Sequence, residues 1–196
     1  MLEKKSTRVR KDEIVLAALE LAGSMGLGAL TISALAASAG MSAANIYRHF
    51  SGKDEIYFAL ADFIGSAIMG KTATIAGGSR KPLDKLETIF FSHITFFTEH
   101  PHLGFLLFSD DFHLGHRSLA GTLALHIGNY IETITGIISA GIAEGELKPE
   151  LSPRGTALTL LGMIQVAALR GIISNASFET RPEAEKLWQN FICLVR

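Results

Sequence analysis

Residues 31–53, TISALAASAGMSAANIYRHFSGK, constrain the fold of this chain more than any other stretch. Ile32, Leu35 and Ala36 recur at three- and four-residue spacing, which lays them on one helical face. The small residues Ala34, Ala36, Ala37 and Ala39 let a second helix come close. Gly40 stands where the chain must turn sharply, and glycine accepts the positive φ that a side chain resists. Ser42 then offers a hydroxyl to the free N–H groups of a following helix over 43–50. In that helix Ile46 and Phe50, four apart, can face a core. Ser42, Ala43, Asn45, Tyr47, Arg48 and His49 are left for the other side. The pattern is helix, tight turn, helix, then the start of a third helix. Short side chains first, with polar, basic and aromatic ones further along, suit a helix that enters a DNA major groove. An ordinary helical hairpin with a solvated outer face has the same spacing.

Composition bounds the rest. The chain has 196 residues, long enough for one large or two small domains. Hydrophobic residues make 48% and charged residues 19%, a globular balance rather than a disordered one. A mean hydropathy of +0.30 raises the question of a membrane. The most apolar run, 155–174, is interrupted by Gln165 and Arg170, so no transmembrane helix and no membrane partner are expected. No apolar stretch follows the first residues directly, so no signal peptide is expected. The single cysteine, Cys193, excludes an internal disulfide framework and fits a reducing cytoplasm. The net charge is −1, yet it is unevenly spread. Through Lys53 there are seven basic and four acidic residues; beyond it, eleven and fifteen. A basic head on an acidic body is the asymmetry of a DNA-reading domain joined to one that does not touch DNA.

Helical signals recur along the chain, and sustained strand alternation is missing. Helices are expected over 7–25, ended by Gly26, and then over the pair described above. A long helix from 53 toward 73 follows, capped by Ser51. Gly77, Gly78 and Ser79 break the chain; the next helix opens at Pro82 and stops before Pro101. Further helices are expected at 102–108, 116–144, 153–174 (after Ser152, with Pro153 in the first turn) and 180–196. The expected fold is all-α, with about nine helices. It comprises a three-helix helix-turn-helix domain over 1–53 and a helical ligand-binding and dimerisation domain over 54–196. The helix beginning near Lys53 belongs to both, with Ile64 and Ile68 deeper toward the body, so a tilt at one end must move the other.

The matching residues run in order without a gap: Ile14, Ala17, Ala18, Leu21 and Gly26, then Thr31-Ile32 and Leu35-Ala36. After them come Ala39-Gly40-Met41-Ser42, Ile46-Tyr47-Arg48-His49-Phe50 and Lys53-Asp54-Glu55-Ile56. On these residues the run from about 8 to 60 resembles the DNA-binding region of the TetR family of bacterial transcriptional regulators. The resemblance covers about a third of the chain; the remainder matches in length, helical content and apolar character only. It implies a ligand-responsive regulator, a repressor by analogy, that binds palindromic double-stranded operator DNA as a homodimer. DNA contacts divide into positioning and reading. The resemblance makes Tyr47 and Lys53 phosphate anchors, with His49 beside them, although Tyr47 also suits a core and His49 a plain surface position. Thr31 and Ser42 can add hydroxyl and helix-N-terminal contacts to phosphate. Base reading falls to Ala43, Ala44, Asn45 and Arg48: Asn suits adenine, Arg guanine, and an alanine methyl the thymine methyl. Two consecutive alanines leave a share to DNA shape.

In the body, Phe90, Phe91, Phe96, Phe97, Phe105 and Phe108 exceed what one helical face accounts for. A helix apolar on two faces is either deeply buried or lines a cavity. The resemblance to ligand-controlled repressors favours a pocket for an apolar or aromatic molecule. Its expected lining is Ile64, Ile68, Phe90, Phe97, Phe105, Phe108 and Met163, with His93, His126, Tyr130 and Gln165 as the polar groups. Six of seven histidines lie between His93 and His126, with Asp110 and Asp111 among them. That leaves a metal-responsive regulator as an alternative, though the spacing of His93, His100, His102, His113, His116 and His126 matches no zinc signature. No phosphate loop, Ser-centred elbow or Cys-His pairing is present, so neither an enzyme nor a cofactor is expected. The two C-terminal helices carry Leu158, Leu161, Ala168, Leu169 and Ile172, and Leu187, Trp188, Phe191, Ile192 and Val195. That is more apolar surface than a small body buries, so dimerisation is expected there.

Overall fold

The computed structural model describes residues 7–100, 117–173 and 180–196, and within them the chain is all helical. Eight α-helices and one 3₁₀ turn stand among these residues. The expected helix at 102–108 lies outside them, with Phe105, Phe108, His102, His113, His116, Asp110 and Asp111.

Helix α1 (Thr7–Met25) buries Ile14, Val15, Ala18 and Ala22. Gly26 ends it with φ 83°, donating its N–H to the Ala22 carbonyl at 2.8 Å. A 3₁₀ turn (Leu27–Ala29) then places Leu27 and Leu30 in the core. Helix α2 (Ile32–Ser38) opens on Thr31, whose hydroxyl oxygen accepts from the Ala34 N–H at 3.1 Å. It closes in a Schellman arrangement: Gly40 at φ 61° donates to Ala37, and Met41 to Ala36. Helix α3 (Ala43–Tyr47) opens on Ser42, whose oxygen accepts from the Asn45 N–H at 3.2 Å. It is shorter than the 43–50 expected. Arg48 and His49 donate to the carbonyls three residues back, so the last turn tightens and delivers Phe50 into the core.

Helix α4 (Lys53–Ala76) is the longest element of the amino-terminal half. Its start corrects the Ser51 cap. Gly52 holds the cap position without a side-chain bond, and Glu55 reaches back to accept the Ser51 N–H at 2.7 Å. A carboxylate at the third helical position gains from the free N–H groups and the dipole there. By length and apolar character α4 alone among the described residues qualifies as a membrane-crossing helix. Its Ile56, Tyr57, Leu60, Ala61 and Ile64 are nevertheless buried inside the protein.

Helices α5 (Pro82–Glu99), α6 (Arg117–Ala143), α7 (Pro153–Ile173) and α8 (Thr180–Val195) build the body. Pro82 supplies no N–H at the start of α5, and the Leu83 N–H donates to the Glu146 carboxylate at 2.9 Å. Gly145, φ 71°, turns the chain after α6. Lys148 donates to the Cys193 and Leu194 carbonyls, placing a cation on the last turn of α8. Two apolar cores result. One joins α1 to α3 with the first half of α4; the other joins α5 to α8. Ile68, Phe96 and Ile127 pack against both.

Candidate functional site

Two surfaces carry chemistry, and α4 connects them. On the head, Ile46 is fully buried and pins α3 from behind. Ala43, Ala44, Tyr47 and Arg48 face outward, Tyr47 at 57% exposure. Tyr47 is therefore not a core aromatic. Asn45 is half-buried. His49 is also half-buried, with its Nδ1 enclosed and unpartnered among the described residues. Thr31 and Ser42 are exposed, and each accepts a backbone N–H, which leaves the hydroxyl proton available to an outside acceptor. Lys53 lies 5.7 Å from the centre of the Tyr57 ring. Packing from below thus fixes α3 while its outer side chains stay in solvent.

The second site is a cavity of about 170 Å³ in the body. Four helices line it. Helix α4 contributes Ile64, Gly65, Ile68 and Met69, and α5 contributes His93 and Phe97. Helix α6 contributes Leu123, His126, Ile127 and Tyr130, and α7 contributes Leu161, Ile164 and Gln165. Ile64, Ile68, Phe97 and the four polar residues named from the sequence are all brought together here. Phe90 is not. It is fully buried at the other edge of α5, stacked on Trp188 at 5.5 Å and edge-on to Phe91 at 5.1 Å. Met163 is not among the lining residues either; it is partly buried and packs against the body core. Gly65, Met69, Leu123, Ile127, Leu161 and Ile164 are the lining residues not named from the sequence. A signal for two of them existed: Leu123, Ile127 and Tyr130 stand at i, i+4 and i+7 on one face with His126.

The polar atoms of the wall form a directed chain. The Thr72 hydroxyl donates to the Ile68 carbonyl at 2.9 Å, so toward His93 Nε2, 3.4 Å away, Thr72 acts as acceptor. Nε2 therefore carries the proton. His93 Nδ1 is left as a lone pair and accepts from the Tyr130 hydroxyl at 3.3 Å. Burial, assisted by the Lys71 charge, lowers the His93 pKa from 6.5 to about 4, so the ring is neutral. Burial raises the Tyr130 phenol, which stays protonated. His126 closes the head-side wall. Its Nε2 donates to Asp62 of α4 at 3.1 Å, and its ring lies where a Cβ on Gly65 would stand, 2.4 Å from two ring carbons.

The histidines of the metal alternative separate accordingly. His93 is engaged by Tyr130 and Thr72, His126 by Asp62, and His100 lies against Phe96 at 5.1 Å. Among the described residues no three His, Cys, Asp or Glu side chains are placed to hold a metal ion.

Comparison with known proteins agrees with this arrangement of a helix-turn-helix head on a hollow helical body. Residues 14–60 match the family of bacterial regulatory proteins, tetR family, and residues 79–169 match the tetracyclin repressor-like C-terminal domain. The chain belongs to the TetR family of bacterial transcriptional regulators. The nucleoid occlusion factor SlmA of Yersinia enterocolitica is 31% identical over 105 residues, 53% of each chain. The chain thus spans about half the length of the curated relatives it matches. Among solved structures, the fatty acid degradation regulator FadR of Bacillus halodurans superimposes with a TM-score of 0.84 at 16% identity, covering 97% of each chain. The regulator FadR of Bacillus subtilis, in complex with stearoyl-CoA, gives 0.80 at 18% identity, covering 92% of this chain and 97% of that one. At such identities the likeness is one of fold.

Proposed function

We propose that this protein is a cytoplasmic, ligand-released repressor that binds palindromic operator DNA as a homodimer, with no catalytic step. One observation carries the reading. Helix α4 is continuous from Lys53, beside the DNA-facing surface, to Ile64, Gly65, Ile68 and Met69 in the cavity wall. Its 24 residues span about 36 Å as one rigid rod. An apolar or aromatic molecule that favours a tilted α4 shifts the population toward heads spaced wrongly for successive major grooves. A coupling of about 1–3 kcal/mol changes operator affinity some 5–150-fold.

Tyr47, His49, Lys53, Thr31 and Ser42 then hold phosphates, while Ala43, Ala44, Asn45 and Arg48 face base edges. The exposure of Arg48 supports its role: its backbone N–H is spent on Asn45, and its guanidinium has no hydrogen-bond or ionic partner among the described residues. The dimer reading needs revision within the two C-terminal helices. Trp188, Phe191, Val195 and Ala168 are buried in the protomer's own core. Leu158, Val166 and Leu169 on α7 and Leu194 on α8 remain exposed at 49, 55, 38 and 62%. The side chain of Ile172 lies outside the description. An unburied stripe of this kind supports pairing through α7 and α8.

The test is fluorescence anisotropy on DNA from the gene's own upstream region against random duplex across salt concentrations. Arg48→Ala should relax sequence preference by about 1–3 kcal/mol, and Lys53→Ala should weaken every sequence alike. Equal losses on both DNAs for Arg48→Ala would remove it from base reading. A wild-type protein with no salt-sensitive preference would end the regulator reading. Val166→Glu with Leu169→Glu should give monomers in sedimentation; an intact dimer moves the interface elsewhere.

A further inference from the structure

The cavity also specifies what it accepts. Its volume of about 170 Å³ is close to the roughly 150 Å³ of an apolar cavity that binds benzene. One ring or two fused rings match that volume. No Lys or Arg lines it among the described residues. The proton chain settles the polarity of the remaining groups. Tyr130 spends its only proton on His93 Nδ1, and His93 spends Nε2–H on Thr72. The Tyr130 oxygen therefore faces any newcomer as an acceptor, and the second polar group of the wall, Gln165, has no hydrogen-bond partner among the described residues.

We propose that the effector is a compact, uncharged mono- or bicyclic molecule with an N–H or O–H donor, which it gives to the Tyr130 oxygen while its ring fills the space beside Ile68, Phe97 and Leu123. Gln165 takes any second polar atom on the ring. The inference rests on the reading of this cavity as the effector site. It sets the chain apart from the regulator crystallised with stearoyl-CoA. Neutrality follows from the wall: His93 is held uncharged by burial, His126 is already engaged by Asp62, and a carboxylate would meet no Lys or Arg among the described lining residues.

Three matched pairs of probes, measured by calorimetry and thermal shift on the full chain, decide the matter: phenol and anisole, indole and 1-methylindole, 2-naphthol and 2-methoxynaphthalene. Each pair keeps the ring and differs in the donor. At least one donor-bearing probe should bind at least tenfold tighter than its methylated partner. Benzoate and stearoyl-CoA should bind more weakly than that probe. In Tyr130→Phe the advantage of the donor should vanish while ring binding survives. The wild-type comparison stands even if that variant fails to fold. Equal binding within all three pairs, absence of binding by every donor probe, or tighter binding of benzoate or stearoyl-CoA overturns the proposal. Operator binding is measured separately on the same preparation. Specific DNA binding released by stearoyl-CoA alone sinks the ligand class and leaves the regulator reading standing; loss of specific DNA binding sinks the regulator reading itself.

Discussion

The head and the body solve opposite problems with the same kind of helix. The head is filled: Ile14, Ala18, Leu30, Leu35, Ile46 and Ile56 leave no exposed area, and most of its polar groups lie at the surface or in caps, with the Tyr57 hydroxyl buried against the Leu27 carbonyl. The body is a larger core kept hollow at one place, where a histidine and a tyrosine are buried among aliphatic residues. On the proposed reading DNA presents one fixed geometry, and the filled core keeps α3 rigid to meet it. A ligand site must leave room and must keep its polar atoms satisfied while empty. The chain Tyr130–His93–Thr72–Ile68 does so because each member donates a hydrogen bond to the next acceptor. A filled domain thus displays its specificity outside, and a hollow one keeps it within.

The sharpest way to break this contrast is on α5, which belongs to the filled and hollow parts at once. Phe90 packs on Trp188, and Phe97 borders the cavity. Phe90→Ala should cost about 3–5 kcal/mol. Phe97→Ala should cost markedly less, because part of its surface already faces empty space. Urea unfolding measures both. Equal costs would mean that α5 is not divided into a packed edge and a cavity edge.

The same division explains what could be read from the residues alone. The head was legible because its determinants are local. Thr31 and Ser42 cap the helices that follow them directly, Gly40 takes the one positive φ of its turn, and Ile46 shows its burial by spacing. Phe90 was misplaced for the opposite reason. Its spacing from His93 and Phe97 puts all three near one helical face, but what that face meets depends on α8, about a hundred residues later. The polar lining was more visible than the apolar one. His93, His126, Tyr130 and Gln165 are anomalies in apolar helices, whereas Leu161 and Ile164 look like any core residue. Gly65 carried no local signal, since its meaning lies in the ring of His126 across from it.

That glycine provides the next test. A Cβ at Gly65 would stand 2.4 Å from two carbons of the His126 ring, which Asp62 holds in place. Gly65→Ala should destabilise the protein by about 3 kcal/mol, at the upper end for overpacking. His126→Ala in the same chain should recover most of it, a coupling that a double-mutant cycle reads directly. Additive losses would show that the helices part without involving the ring. The buried histidine gives a smaller effect with a definite sign. His93 titrates near 6.5 when unfolded and at about 4 in the folded body. Between these values the unfolded chain binds more protons, so stability is full above pH 6.5 and falls as the pH drops toward 4. The loss from pH 7 to 4.5 should be about 2 kcal/mol, and His93→Asn should flatten the slope. A slope unchanged in that variant would assign the effect to another group.

The smallest expected effect lies in the head, and it completes the comparison. Glu55 accepts the Ser51 N–H at 2.7 Å and the Lys11 ammonium at 3.0 Å, tying the start of α4 to α1. The Ser51 hydrogen bond, then Lys11, lowers its pKa from 4.5 to about 2. A depressed carboxylate stabilises the folded state above its unfolded pKa, and that contribution disappears as the pH falls from 4.5 to 2. The carboxylate keeps 40% of its surface in solvent, so screening reduces the effect to about 1 kcal/mol. The two windows share only the range from pH 4.5 to 4: acid should weaken the body first, through His93, and the head second, through Glu55. Trp188 fluorescence follows the body, and exchange protection of the Ser51 amide follows the head. Loss of Ser51 protection above pH 4.5, ahead of any change at Trp188, would show that the clamp between α1 and α4 does not depend on this carboxylate. Glu55→Gln should advance the loss of protection only at pH values where wild-type Glu55 is still charged.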